Sequence, residues 1–270
     1  MLRSLYAGVS GMKGFQTKLD VIGNNIANVN TIGFKSSRVL FKDILNQAIS
    51  GGTAPQNGGG GTNSKQIGLG SSLGAIDTIH TQGSSMNTNI STDLRIDGDG
   101  FFAVKGNPDQ EQPFLTRAGT FQVDVERNLT NGDGMLVLDS TGQPMKLPEG
   151  ITSFSISRDG EIISVKSDGT MEATGLKIGV VKITNPSGLE KMGGTLFRNS
   201  PNAETNLAYS AANDAALGTG TIIAGQLEMS NVDLTAEFAE MIIAQRGFQA
   251  NSRIITTSDE IMQEVVNLKH

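Results

Sequence analysis

The chain has 270 residues and a net charge of −6 at pH 7, enough length to bury a core in one to three domains and an acidity that argues against a broad nucleic-acid surface. It has no Cys and only two His, His80 and His270, which excludes thiolate metal sites, disulfides, cysteine nucleophiles and any multi-histidine metal cage. No run of about 18 apolar residues is present to span a membrane, and the 34 Gly point to many tight turns.

The first predicted element is a helix over residues 2–29. Leu5, Val9, Met12, Gln16, Leu19, Gly23, Ile26 and Asn30 follow a 4-3-4-3 spacing, the mark of a narrow helical seam. Gly8, Gly11, Gly14 and Gly23 each cost about 1 kcal/mol of helix propensity relative to Ala, so this helix is expected to form only when packed. Ser4, Gly8, Ser10 and Gly11 interrupt its opening, which therefore lacks the apolar block of a secretory signal peptide. Residues 36–49 can hold a further short element, with Phe41, Ile44, Leu45 and Ala48 at helical spacing. Residues 51–64 are almost entirely Gly, Thr, Asn, Pro and Ser, with four consecutive Gly at 58–61, and read as a flexible loop.

From about residue 68 to 225 the pattern is one of short strands. Phe154/Ile156, Ile163/Val165 and Ile178/Val180 are period-two pairs that would bury one strand face. Asp97-Gly98-Asp99-Gly100, Asn131-Gly132-Asp133-Gly134 and Asp159-Gly160 supply turns, because Gly, Asn and Asp tolerate positive φ. Helical periods are absent, so an antiparallel sheet is expected rather than βαβ units.

Residues 231–268 carry the strongest helix pattern. Asp233 or Thr235 can cap it, with Glu237 in the first turn. Leu234, Phe238, Met241, Gln245, Phe248, Ser252, Ile255, Asp259, Met262 and Val266 form its seam, and Ile242, Ile254, Ile261 and Val265 widen the apolar face beyond a two-helix contact. Residues 1–50 carry net charge +4 and residues 225–270 net −4, so the two ends are complementary and favour pairing with each other over pairing like with like. The expected fold class is α+β, with terminal α-helices pairing as a coiled coil and a β-rich, mostly antiparallel middle domain. The expected division is a terminal helical domain of 1–35 with 228–270, a connecting segment of 36–74 with 222–227, and a β-rich domain of 75–221.

No catalytic constellation emerges. Counted as a calcium loop from Asp97, position five is Phe101 and position twelve is Pro108, so the oxygen-ligand pattern fails. Gly68-Leu69-Gly70 with Gly74 has the wrong spacing for a dinucleotide fingerprint. Ser10-Gly11-Met12-Lys13 has the Ser-x-x-Lys spacing without companion motifs. His80 has no Ser/Asp partner pattern around it, and Glu237/Glu240 read as a solvated outer helix face. The expectation is therefore no enzyme, no cofactor, no metal and no small-molecule substrate.

Residues 19–35, Leu-Asp-Val-Ile-Gly-Asn-Asn-Ile-Ala-Asn-Val-Asn-Thr-Ile-Gly-Phe-Lys, closely resemble the N-terminal signature of bacterial flagellar rod and hook proteins. In that family's order follow residues 93–102 (Asp-Leu-Arg-Ile-Asp-Gly-Asp-Gly-Phe-Phe), residues 116–121 (Thr-Arg-Ala-Gly-Thr-Phe), and a C-terminal block from Ser230-Asn231 through Gln245-Arg246 to Thr257-Ser258-Asp259. The signature positions singled out are Asn24, Asn25, Ala27, Asn28, Gly33, Phe34, Lys35, Asn231, Gln245 and Arg246. The opening residues 1–6 and the overall length resemble the short type of hook protein, with the distal rod protein as the alternative.

The resemblance implies a structural subunit that polymerises with itself into a tube around a central channel. Terminal helices would form the inner layer and β-rich domains the outer one. In the hook reading the tube is a flexible joint that transmits motor torque to the filament. The implied partners are further copies of the chain, the flagellar rod, the hook cap and hook–filament junction proteins, and the flagellar type III export apparatus, with export to the cell exterior without a cleaved signal peptide. The subunit-interface seam expected on this reading is Leu5, Val9, Met12, Leu19, Ile26, Leu234, Phe238, Met241, Phe248, Ile255 and Met262.

Overall fold

The computed structural model describes residues 2–54, 60–107, 110, 112–149, 151–166 and 170–268. The centre of the Gly-rich loop (55–59), Pro108, Lys269 and His270 lie outside the described residues. Two compact units divide the chain: Met1–Ala27, Ser37–Thr78 and Asp233–His270 form one, and Asn28–Ser36 with Ile79–Val232 form the other. This division differs from the expected one, because 37–78 group with the helices and 222–227 with the middle of the chain.

The first unit holds the two helices, α1 (Leu2–Ala27) and α2 (Leu234–Asn267). Asp233 begins α2: its carboxylate accepts from the backbone N–H groups of Thr235 and Ala236 at 2.9 and 3.4 Å, satisfying two donors that a helix start leaves open. The same unit contains a long antiparallel ribbon. Strand β1 (Ser37–Asp43) pairs with β4 (Ser71–Thr78), and β2 (Asn46–Ser50) with β3 (Lys65–Gly68). The helical spacing seen over 36–49 is thus overridden. A bulge at Leu40/Phe41 shifts the register, and the Asn46 side-chain amide donates to Asp43 Oδ2 at 3.1 Å at the break between β1 and β2. The deciding partner strand lies some thirty residues downstream, beyond the reach of local periodicity.

In the second unit every strand pairing is antiparallel. Its axis is the strand Phe101–Lys105, which pairs with Phe114–Thr116 on one edge and with Leu136–Val137 and Val180–Val181 on the other. Successive side chains point to opposite faces of a strand. Phe102 and Val104 accordingly enter one apolar cluster, with Leu94, Ile96, Phe121, Leu129, Ile178 and Ile222. Phe101 and Ala103 enter another, with Leu115, Leu138, Val181 and Phe197.

The turn sequences fall where expected, with Gly98, Gly100, Gly134 and Gly160 at positive φ. One period-two pair does not: in Glu161–Lys166 the buried positions are Ile162 and Ser164, while Ile163 and Val165 are half-buried on the other face. The Ser164 hydroxyl is accommodated there by donating to the Glu172 carbonyl at 3.2 Å.

Candidate functional site: the helix pair and its outer faces

Helices α1 and α2 run antiparallel and meet through small and polar residues. A β-carbon at Gly8 would lie 3.5 Å from Ile255, one at Gly11 would lie 2.8 Å from the Asn251 amide, and one at Gly247 would lie 2.5 Å from the Phe15 ring. Further along, Lys18 pairs with Glu240 at 2.5 Å, and the Asn25 amide donates to Glu237 Oε1 at 2.9 Å. Positions in line with these contacts are buried or half-buried: Gly8, Gly11, Phe15, Lys18, Ile22 and Asn25 on α1, and Glu237, Met241, Ala244, Gly247, Asn251, Ile255 and Ser258 on α2. Small residues let helix axes approach closely, so Gly8 and Gly11, which weaken α1 in isolation, lie where its partner packs, while Gly14 lies against Phe41.

The spacing expected for the seam is present, but most of its residues lie beside rather than on the face that joins α1 to α2. Leu5, Met12, Leu19 and Ile26 are half-buried and Val9 is exposed. On α2, Met241 and Ile255 belong to the pairing face, whereas Leu234, Phe238, Phe248 and Met262 are exposed. Ile242, Ile243, Ile254, Ile261, Val265 and Val266 join them, and Phe238 is 51% and Ile242 59% exposed. Burying one such side chain is worth about 1.5–3 kcal/mol. A row of them is left open along α2 in the subunit, an exposed apolar patch larger than scattered surface residues make.

Two further readings change with the geometry. Glu237 is half-buried facing α1, and burial pushes its carboxyl above the usual range although the Asn25 amide opposes this, while Glu240 pairs with Lys18 and stays half exposed. The Ser10 hydroxyl donates to the Ala7 carbonyl at 2.9 Å, a bond within its own helix.

Several signature positions form clamps. In the first unit the Asn25 amide also donates to the Ser37 carbonyl at 2.8 Å while its Oδ1 accepts from the Ser37 N–H at 3.0 Å. In the second, the Asn231 amide donates to the carbonyl of Ile79 at 2.9 Å, and its Oδ1 accepts from the Ser36 N–H at 2.8 Å. Gly33 has φ +69°, and a β-carbon there would lie 2.6 Å from the Ala118 backbone nitrogen, so only glycine fits. Asn28 accepts from the Thr31 hydroxyl at 3.1 Å. Phe34 lies under the Lys191 ammonium, 4.9 Å from ring centre to Nζ. Asn24 and Ala27 are exposed at the end of α1. Gln245 and Arg246 are exposed on α2, where Arg246 donates to Gln249 at 3.2 Å.

Lys35 is the signature residue with the most demanding environment. Its side chain is 0% exposed and that of Glu228 1%, with Nζ 2.5 Å from Oε1. Arg117 reaches the other oxygen of Glu228 at 3.2 Å and also donates to the Gly98 carbonyl at 2.9 Å. The Lys35 ammonium further donates to the Thr81 carbonyl at 2.7 Å, and Gly33 N–H donates to the Glu228 carbonyl at 2.8 Å. Burial pushes the Lys35 ammonium below its usual value, which Glu228 partly opposes. Residues far apart in sequence thus share one buried carboxylate, a juxtaposition that no local pattern announces. Among the described residues no three His, Asp or Glu side chains gather into a set that could ligate a metal.

Three stretches match known protein families: residues 5–35 match "Flagella basal body rod protein", residues 95–172 "Flagellar hook protein FlgE/F/G D1 domain", and residues 223–268 "Flagellar basal body rod FlgEFG protein C-terminal". Over the full length of both chains, the protein is 55% identical to the flagellar basal-body rod protein FlgG of Bacillus subtilis. It is 36% identical to the FlgG of Borreliella burgdorferi, covering 100% of this chain and 99% of that one. With the flagellar hook protein FlgE of Borreliella burgdorferi the identity is 30%, in an alignment of 455 positions that covers all of both chains. The expectation of a hook protein is therefore not the one these relatives favour.

Proposed function

The chain belongs to the family of bacterial flagellar rod and hook proteins, and from that premise we propose that it is a subunit of the distal rod rather than of the hook. The observation that carries this reading is the 55% identity to a FlgG rod protein along the whole of both chains; the hook relative aligns at 30% and only with long gaps. On this reading the protein is structural, not enzymatic. It polymerises with itself into a rigid tube of the basal body, after export through the flagellar type III apparatus.

The outward row of Val9, Leu234, Phe238, Phe248 and Met262 supports assembly through the termini. In the subunit alone these side chains meet solvent, and neighbouring copies would bury them. Polymerisation then supplies the packing that the Gly-containing α1 lacks by itself, since isolated helices are marginal in water. The test is electron microscopy of the assembled full chain beside a chain lacking residues 1–30 and 234–270. Straight tubes from the full chain alone are expected. Curved tubes would return the reading to the hook, and tubes from the shortened chain would refute assembly through the termini.

A further inference from the structure

A cavity of about 380 Å³ opens in the second unit, with His80, Asp99, Phe101, Arg117, Lys182 and Thr184 among its lining residues. Among the described residues the buried Nε of Arg117 finds no hydrogen-bond partner, and the buried ring nitrogens of His80 have only a weak approach to the Pro186 carbonyl. Arg117 itself is 96% buried, its side chain exposing only 4%. A buried polar nitrogen left without a good partner is costly, and such atoms gathered in one wall call for an explanation.

Charge points the same way. Four cations surround the imidazole and the cavity (Lys35, Arg117, Lys182 and Lys191), against two carboxylates, Asp99 and Glu228. Glu228 is already divided between Lys35 and Arg117. This excess of positive charge sits in a chain whose net charge is −6. His80 is held between the rings of Phe101 and Phe197, with centroids at 5.7 and 5.4 Å, and Arg117 stacks over Phe101 at 5.2 Å. The wall is therefore built from packed rings, and the imidazole lies on it among the cavity's lining residues.

We infer that this cavity binds a small oxyanion, the chemistry shared by a free phosphate or carboxylate and by an acidic side chain of a neighbouring copy, whose oxygens accept hydrogen bonds from His80 and Arg117 with Lys182 at the mouth. The inference goes beyond assembly and does not depend on whether the tube is rod or hook. Burial, first, and the nearby Lys35, Lys191 and Arg117 hold the imidazole down to about 4, opposed only by the Pro186 carbonyl. An anion reverses that balance, so binding takes up a proton. Affinity then rises by up to about tenfold for each pH unit lowered above that value.

The experiment is NMR of the soluble full chain, whose two histidines make the imidazole spectrum assignable, with His80→Phe identifying the His80 signal. Inorganic phosphate and acetate are titrated separately at pH 5.5 and 7.5, and the assembled polymer is measured without added anion. A saturable shift of the His80 signal with either anion, tighter at pH 5.5 and about threefold weaker in Lys182→Ala, supports a site for free anions. A shifted His80 signal in the polymer alone supports the acidic side chain of a neighbour. A His80 signal unmoved by phosphate, by acetate and by assembly overturns the proposal.

Discussion

The tip of the Phe15 ring occupies the space that a side chain at Gly247 would need: a β-carbon there would fall 2.5 Å from Cζ and 2.7 and 2.8 Å from the two Cε atoms. The ring also leans on Phe41 of the ribbon, with centroids 6.1 Å apart, so it has little freedom to withdraw. Gly247→Val should therefore destabilise the helix pair by about 1–3 kcal/mol, the usual cost of overpacking, read as a lower melting temperature of the helical circular dichroism signal. Gly23 is the control. Nothing lies within 4 Å of a β-carbon there, and Gly23→Ala should raise helix stability by up to about 1 kcal/mol. Equal effects at the two positions would remove the close-approach account.

The shared carboxylate of Glu228 predicts an order of severity. Glu228→Ala leaves both Lys35 and Arg117 buried without their common partner, and loss of one side of a buried pair costs about 3–5 kcal/mol. Lys35→Met keeps an apolar stem in place and leaves Glu228 paired with Arg117, so its cost should be smaller. Urea unfolding followed in each variant checks the order, and a Lys35→Met variant weaker than Glu228→Ala would contradict it.

His80 predicts a pH dependence with a defined sign. Its imidazole lies near 4 in the folded chain against 6.5 when free, so between these values the unfolded chain binds more protons. Stability is therefore unaffected above about pH 6.5 and is lost as pH falls towards about 4, by about 2 kcal/mol once partial solvent screening is allowed for. Thermal melts in buffer free of phosphate and carboxylates should show this decline, and His80→Gln should flatten it. An unchanged pH profile in His80→Gln would assign the decline to other groups.

Much of this architecture could be read from residue patterns, and the misreadings have a physical cause. The period of the terminal helices was legible in Leu5, Val9, Met12 and Leu19, but many of the large apolar side chains, such as Val9, Phe238 and Ile242, lie on faces left open in the subunit. The face that joins α1 to α2 carries Gly8, Gly11, Gly247, Asn251 and Ser258, and its signal is small residues at three- and four-residue spacing, which a search for apolar seams passes over. The ribbon of 37–78 was missed because its strands are defined by each other across a long loop. The Lys35–Glu228–Arg117 cluster was invisible as a cluster: its three members lie 82 and 111 positions apart in sequence order, although Lys35 stood out individually within the signature.

The central claim, that exposed apolar side chains of the terminal helices drive self-assembly, is tested most directly at Phe238. Its side chain is 51% exposed, and exposed substitutions usually change stability by no more than about 0.5 kcal/mol, so Phe238→Asp should leave the subunit folded. Sedimentation and electron microscopy of the purified variant beside the unaltered chain should find a folded subunit that forms no tubes. Normal tubes from Phe238→Asp would contradict the account.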